Sequence, residues 1–268
     1  MANCDHNCEG CSANCGERSA PEKFYANGNI KKVIGIVSGK GGVGKSLVTG
    51  LLASEMSKKK FRTAILDADI TGPSIPKMFG LHEQVLSDGH FVQPATSKNG
   101  TKIISMNLCL QNEGEPVVWR GPVLAGVVRQ FYEEVDWGDV DFMFVDMPPG
   151  TGDVPLTVFQ SLPLTGIIIV TTPQELVSMI VSKALRMAEL MNIPVLGLVE
   201  NMSYFECPDC KAKHYIFGQS HLEDTAREFN IKATAQLGVF PELAKLCDAG
   251  EIEKFSAEKY LADILNSL

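Results

Sequence analysis

Eight residues, Gly39-Lys40-Gly41-Gly42-Val43-Gly44-Lys45-Ser46, follow a short apolar β-type run and precede a helical stretch from Leu47 to about Lys58. Glycines at this spacing let backbone N–H groups turn inward around phosphate oxygens. The helix beginning at Leu47 adds its positive end to the same cradle. In the pattern G-x-x-x-x-G-K-[ST], a lysine placed as Lys45 meets the β- and γ-phosphates and a hydroxyl placed as Ser46 ligates Mg²⁺. The chemistry this predicts is the binding of ATP with Mg²⁺. Carboxylates that could serve it stand at two other strand ends. One is Leu66-Asp67-Ala68-Asp69-Ile70-Thr71-Gly72-Pro73-Ser74, and the other is Asp146-Met147-Pro148-Pro149-Gly150-Thr151-Gly152-Asp153. At the C-terminal edge of a parallel sheet such groups hold Mg²⁺ through water or align an attacking water. Asp146, closing an apolar strand, is expected to reach Mg²⁺ through water. For Asp67 and Asp69 an Asx-rich turn without a ligand is the competing reading. The Pro-Pro pair followed by two glycines suits a loop that senses the γ-phosphate and moves on hydrolysis.

A plain phosphate loop does not explain Lys40. The run Lys40–Ser46 resembles the deviant Walker A motif of the MinD, ParA and nitrogenase-iron-protein class. The resemblance implies that Lys40 reaches across a homodimer interface to the partner's nucleotide. It also implies that Asp69 positions the attacking water, that Asp67 lies nearer the metal, and that Asn201, after a later strand, reads the adenine edge. A turn residue is the ordinary alternative for Asn201.

Cysteines form a second chemical set. Cys207-Pro208-Asp209-Cys210 offers two thiolates, half of the four that zinc or an iron–sulfur cluster takes. A two-fold dimer would supply the other two. The picture is a [4Fe–4S] cluster bridging two subunits. His214 and His221 offer a rival, completing a zinc knuckle within one chain. Near the N-terminus, Cys4, Cys8, Cys11 and Cys15 place four thiolates within twelve residues, enough for a whole cluster in one chain. A zinc-bound tail or a flexible thiol carrier are the alternatives there. Cys109 and Cys247 read as small buried hydrophobes.

The elements that must position these residues alternate along the chain. Apolar strand-like runs fall at Val33–Val37, Ala64–Leu66, Ile103–Met106, Phe142–Val145, Ile167–Val170 and Val195–Val199. The clearest helical period between them is Leu176, Ile180, Ala184 and Ala188, with Val177, Val181 and Leu185 beside it. Strands apolar throughout and separated by amphipathic helices predict an α/β fold, a P-loop NTPase whose mostly parallel sheet carries helices on both faces. Residues 1–29 are polar and poor in branched apolar side chains, and are expected to be a cysteine-rich metal-binding tail on one ATPase domain over 30–268. With 268 residues, 45% of them hydrophobic, there is ample material for a core. The net charge of −8 argues against nucleic-acid or anionic-membrane partners. No apolar run approaches membrane-spanning length, and the first twenty residues hold no secretory apolar core. A cytoplasmic location is expected, so the cysteines should be thiols or metal ligands rather than disulfides. The segment Ser256–Leu268 is amphipathic, with Lys259 its only basic residue, and is expected to pack on the sheet.

Taken together, Lys40–Ser46, Asp67–Ser74, Trp119-Arg120-Gly121-Pro122, Asp146–Asp153, Asn201-Met202 and Cys207–Cys210 resemble the Mrp/ApbC/Nbp-type iron–sulfur carrier ATPases. The resemblance spans nearly everything from Ile30 to Leu268. It implies slow ATP hydrolysis, with Lys40, Lys45 and Asp69 as the working residues. It further implies a cluster on the Cys-Pro-x-Cys thiols of a homodimer, a cluster donor, and delivery to apo iron–sulfur proteins. Eukaryotic cytosolic members carry wider N-terminal cysteine spacings than this chain. Trp119 and Arg120 read as packing and helix-entry residues. Two other functions fit the same motifs: an electron-transfer ATPase like the nitrogenase iron protein, and a zinc-stabilised positioning ATPase of the MinD/ParA kind.

Overall fold

The computed structural model describes residues 25–268 apart from 71, 73, 87, 88, 90, 111–120, 151, 152 and 174–176, and it gives no side-chain environment for 121, 122, 153, 154, 157, 161 and 177–180. Cys4, Cys8, Cys11, Cys15, Trp119, Arg120, Thr71, Pro73, Thr151, Gly152 and Leu176 therefore lie outside the described residues.

The elements run β1 (Gly28–Val37), α1 (Lys45–Lys58), β2 (Thr63–Asp67), α2 (Ile75–Met78), β3 (Ala95–Thr96), β4 (Lys102–Ile104), α3 (Gly121–Glu134), β5 (Gly138–Asp146), α4 (Asp153–Ser161), β6 (Gly166–Thr171), α5 (Val177–Leu190), β7 (Val195–Glu200), β8 (Phe205–Glu206), β9 (Lys213–His214), α6 (Leu222–Glu228), β10 (Thr234–Gln236), α7 (Pro241–Asp248) and α8 (Glu258–Ser267). The main sheet is ordered β10-β7-β6-β1-β5-β2-β4-β3. Every pairing in it is parallel except β3 with β4. β8 and β9 form a separate antiparallel hairpin. Strand β1 begins at Gly28, so the sheet starts two residues before the expected boundary of the tail.

Alternation along the central strands explains why helices cover both faces. Val33 and Val37 of β1, Met143 and Val145 of β5, and Ile167 and Ile169 of β6 join one core, which is sealed by α3, α4, α5 and α6. Their neighbours Ile34, Ile36, Phe142, Phe144, Ile168 and Val170 join the other, sealed by α1, α2, α7 and α8. The expected continuous apolar strands are thus two interleaved stripes, one per core. α8 buries Leu261, Ile264 and Leu265 in the second core, as the amphipathic C-terminal segment predicts.

The expected strand over Ile103–Met106 is corrected at its end: β4 stops at Ile104 and a short 3₁₀ turn runs over Met106–Leu108. Ser105 is still extended but lies outside the ladder: its carbonyl accepts from the Leu108 amide at 3.1 Å, which starts the 3₁₀ turn, and its hydroxyl donates to Asp67. A second correction concerns the lone cysteines. Cys109 is exposed and Cys247 half-buried, so neither is a core residue. Cys109 sits just past the 3₁₀ turn at the surface, its Sγ 3.6 Å from the Ser105 carbonyl, while Cys247 packs at the edge of the second core.

Candidate functional site

Parallel topology brings the phosphate loop and the carboxylates to one edge. β1 and β2 flank β5, with Ile36 and Asp67 both in register with Asp146. The loop leaves β1 and enters α1 through Gly44, whose φ of +83° is left-handed. Gly42, at φ +79°, turns the same way. Residues with a Cβ pay a steric cost in that region, so glycine is what allows the loop to curl back over the helix end. Helix α1 then presents the free amides of its first turn to the loop, an anion-binding end. A cavity of about 320 Å³ opens here, lined by the loop from Lys40 to Leu47 together with Ser38, Asp69 and Pro149.

Asp146 is the hub. It is fully buried, and its Oδ1 lies 2.9 Å from Lys45 Nζ and accepts a 2.9 Å hydrogen bond from Thr49 Oγ1. Its Oδ2 accepts from Ser46 Oγ. Lys45 also lies 3.4 Å from Asp69 Oδ2. Desolvation pulls the Lys45 pKa down, but the charges of Asp146 and Asp69 and the hydrogen bond to Asp146 outweigh it, so the net shift is upward. The ammonium is therefore fixed in its charged form, as a phosphate-binding lysine must be. Burial, followed by the charge of Asp146, pushes the Asp67 carboxyl well above the usual range, against the pull of Lys45 and the Ser105 hydroxyl. Asp67 accepts from Ser105 Oγ at 2.9 Å and from the Asp69 amide at 3.2 Å. Two buried, mutually repelling carboxylates beside a serine hydroxyl form a hard oxygen set, and that donor chemistry fits Mg²⁺.

Gly39, Lys40, Gly41, Gly42, Val43, Gly44, Lys45, Ser46, Leu47, Asp67, Asp69 and Asp146 thus gather at the C-terminal edge of β1, β2 and β5. Asn201 joins them at the loop. It is buried, and its Nδ2 donates 2.9 Å to the Val43 carbonyl, so its amide shapes the loop itself. Its backbone N–H is bound to the Thr171 carbonyl at 2.8 Å. Thr49 and Ser105 are site residues that motif reading passed over. Thr49 sits four residues past Lys45 on the same helix face, and Ser105 stands at the carboxyl end of the strand beside β2. Both positions follow from helical period and parallel topology once α1 and β4 are placed.

The second set lies apart from this buried cluster. β8 and β9 pair Phe205 with His214 and Glu206 with Lys213, and Cys207–Lys211 form the tip. The tip closes through Cys207 N–H to the Ala212 carbonyl (2.9 Å) and Lys211 N–H to the Cys207 carbonyl (3.0 Å), with Lys211 left-handed at φ +60°. Amides of Cys210 and then Asp209 point at the Cys207 sulfur and, with the Cys210 thiol and the charge of Lys211, lower its pKa. A sulfur cradled by amides is a ready metal ligand. Cys210 is exposed and Cys207 half-exposed. Among the described residues no third His, Cys, Asp or Glu side chain joins Cys207 and Cys210 in a group able to hold a metal. The zinc knuckle of Cys207, Cys210 and His214 with His221 is therefore not assembled within one chain. His214 is an exposed strand residue of the hairpin and His221 precedes α6.

A doubly wound, mostly parallel sheet with this loop and these carboxylates defines a P-loop NTPase of the MinD/ParA fold. A family model described as ParA, NUBPL iron-transfer P-loop NTPase, matches residues 29–268, and the chain belongs to that family. The iron–sulfur cluster carrier protein of Clostridium perfringens is 43% identical over 265 residues, 96% of this chain and 91% of that one. The iron–sulfur cluster carrier protein of Methanocaldococcus jannaschii is 39% identical over 93% of this chain and 90% of its own. Among solved structures, the nucleotide-binding protein of Archaeoglobus fulgidus in complex with ADP superposes with a TM-score of 0.77 at 41% identity, covering 85% of this chain and 89% of that one. The MinD cell division protein of Aquifex aeolicus, at 18% identity, a TM-score of 0.60 and coverage of 88% and 95%, shares the fold. No helix among the described residues is long and apolar enough to cross a membrane.

Proposed function

We propose that this chain is an ATP-dependent iron–sulfur cluster carrier that works as a cytoplasmic homodimer, holding a [4Fe–4S] cargo between the Cys207 and Cys210 thiolates of two copies. The observation that carries the reading is the two-thiol hairpin tip: it is preorganised around sulfur, exposed, and half of a four-ligand set. A two-fold partner supplies the other half. The carrier proteins that resemble this chain over nearly its whole length support the same reading.

In this reading ATP lies in the cavity at the loop, with its β- and γ-phosphates against Lys45 and the first amides of α1. Ser46 would ligate Mg²⁺ and Asp146 would reach it through water, with Asp67 nearby, and the ion would offset charge on the phosphates. Asp69, already beside Lys45, aligns the water that attacks the γ-phosphorus, and the bond to the β-phosphate oxygen breaks to leave ADP and phosphate. Lys40 serves the partner's nucleotide across the dimer. Cys4, Cys8, Cys11 and Cys15 form a second thiolate site in the tail. A cluster donor loads the protein, and apo iron–sulfur proteins receive the cargo.

Transfer to an apo-acceptor tests the coupling. Cluster-loaded protein should regenerate acceptor activity faster with Mg-ATP, and Lys45→Ala should lose that acceleration together with ATP hydrolysis. Full-rate, ATP-stimulated transfer by Lys45→Ala would contradict it.

A further inference from the structure

The segment from Asn201 to Cys207 joins the phosphate loop to the cysteine tip within a single stretch of chain, and it is bonded along much of its length. At its start, Asn201 Nδ2 holds the Val43 carbonyl, and a Cβ built on Gly44 would stand only 2.1 Å from that nitrogen. The amide is therefore wedged against the two loop residues that precede Lys45. Met202 then turns left-handed at φ +57°. Ser203 donates its hydroxyl to the Glu200 carboxylate and its amide to the Leu237 carbonyl at 2.8 Å. The Tyr204 carbonyl accepts from the Val239 amide at 2.7 Å, and its ring carries Lys213 Nζ 4.1 Å above its centre. Phe205 and Glu206 are β8, and Cys207 follows at once. Lys213, on the returning strand β9, clamps the hairpin back onto Tyr204.

We propose that this segment is a strut through which nucleotide at the phosphate loop sets the accessibility of Cys207, with Asn201 as the positioning residue at its loop end. The physical basis is short and local. Phosphates that engage the loop amides fix the orientation of the Val43–Gly44 peptide, and the Val43 carbonyl is the acceptor on which Asn201 hangs. Beyond Asn201, Ser203 and Tyr204 are pinned to the segment following β10, so a displacement at Asn201 passes to β8 rather than dissipating in a slack loop. The inference deepens the carrier reading and takes its purpose from it, but its test needs no cluster.

The test is the alkylation rate of Cys207 in full-length, chelator-stripped, reduced protein, followed peptide by peptide by mass spectrometry with Mg-ATPγS, with ADP and without nucleotide. Wild-type protein should show a rate ratio between nucleotide states of about fivefold or more, the lower end of ordinary coupling between sites. Asn201→Ala, at nucleotide concentrations that saturate it, should bring the ratio to one. A merely structural role for Asn201 would lower the melting temperature and shift all three rates together, keeping the ratio. Should Asn201→Ala fail to fold or to bind nucleotide, Ser203→Ala answers the same question from a position that does not touch the loop: nucleotide affinity should stand and the ratio fall. A ratio of one in wild type, or a full ratio in either variant, overturns the strut. If Cys207 and Cys210 hold iron and sulfide yet the wild-type ratio is one, the strut fails and the carrier reading stands. If the ratio responds as described but no iron is held, the carrier reading fails alone.

Discussion

The phosphate loop and the cysteine tip lie at opposite extremes of preorganisation. At the loop, Lys45, Thr49, Asp67 and Asp146 are buried, and one carboxylate collects an ammonium and two hydroxyls. At the tip, two thiols stand on a hairpin of two-residue strands, one exposed and one half-exposed. The difference teaches how one chain handles two ligands of unlike permanence. The core of a phosphate site can be built within a subunit, because it needs inward amides and a buried cation, which the loop after β1 and the start of α1 supply together, leaving only Lys40 to be exchanged in the proposed dimer. A site for cargo that must enter and leave is better kept shallow and incomplete, and finished by a partner.

If that contrast is right, damage at the loop should unfold or inactivate and damage at the tip should only empty. The largest effect is expected for Asp146→Ala. It strands Lys45 in the interior with Asp69 as its nearest remaining counter-charge, at a cost of about 3 kcal/mol, the lower end for breaking a buried pair. Denaturant unfolding should show that loss, and ADP binding should vanish with it. A smaller loss, about 2 kcal/mol, is expected for Gly44→Ala, which forces a side chain into left-handed backbone and against the Asn201 amide. Calorimetry with ADP should find weakened affinity as well as a lower melting point.

At the tip the distinction is chemical. The Cys207 pKa is lowered by neighbouring amides, whereas desolvation raises those of Cys247 and of Cys109, a surface residue whose sulfur turns inward to the Ser105 carbonyl, to about 11 each. A lowered thiol pKa keeps thiolate present at lower pH, and a raised one withholds it until the solution is strongly alkaline. Iodoacetamide at neutral pH should therefore modify Cys207 well ahead of Cys109 and Cys247. The gap should narrow as pH rises towards 11. Equal rates at neutral pH would remove the argument that the tip is built around sulfur.

Much of the loop was legible in the sequence because its chemistry is local. Gly39 to Ser46 are contiguous, and Asp67 and Asp146 close apolar strands that a parallel sheet must align. What escaped were groups whose roles depend on how separate segments meet. Ser105 is a site residue only because β4 lies beside β2 and ends two residues earlier than its apolar run suggests. Asn201 was visible as a strand-end asparagine, but its hold on Val43 depends on the distance between two loops. The unbroken apolar runs of the strands predicted both helix layers, since a strand buried on two faces has no polar side. Cys109 and Cys247 were misplaced because cysteine's preference for interiors is statistical and is overruled at a 3₁₀ turn or a helix end.

The most direct test of the account is to count iron, acid-labile sulfide and zinc per chain in anaerobically purified protein beside a Cys207→Ala/Cys210→Ala variant. The account predicts that the variant, folded and still binding ADP, loses about two iron and two sulfide per chain, half of one subunit-bridging four-iron cluster. Stoichiometric zinc without sulfide, or iron and sulfide undiminished in the variant, would contradict it.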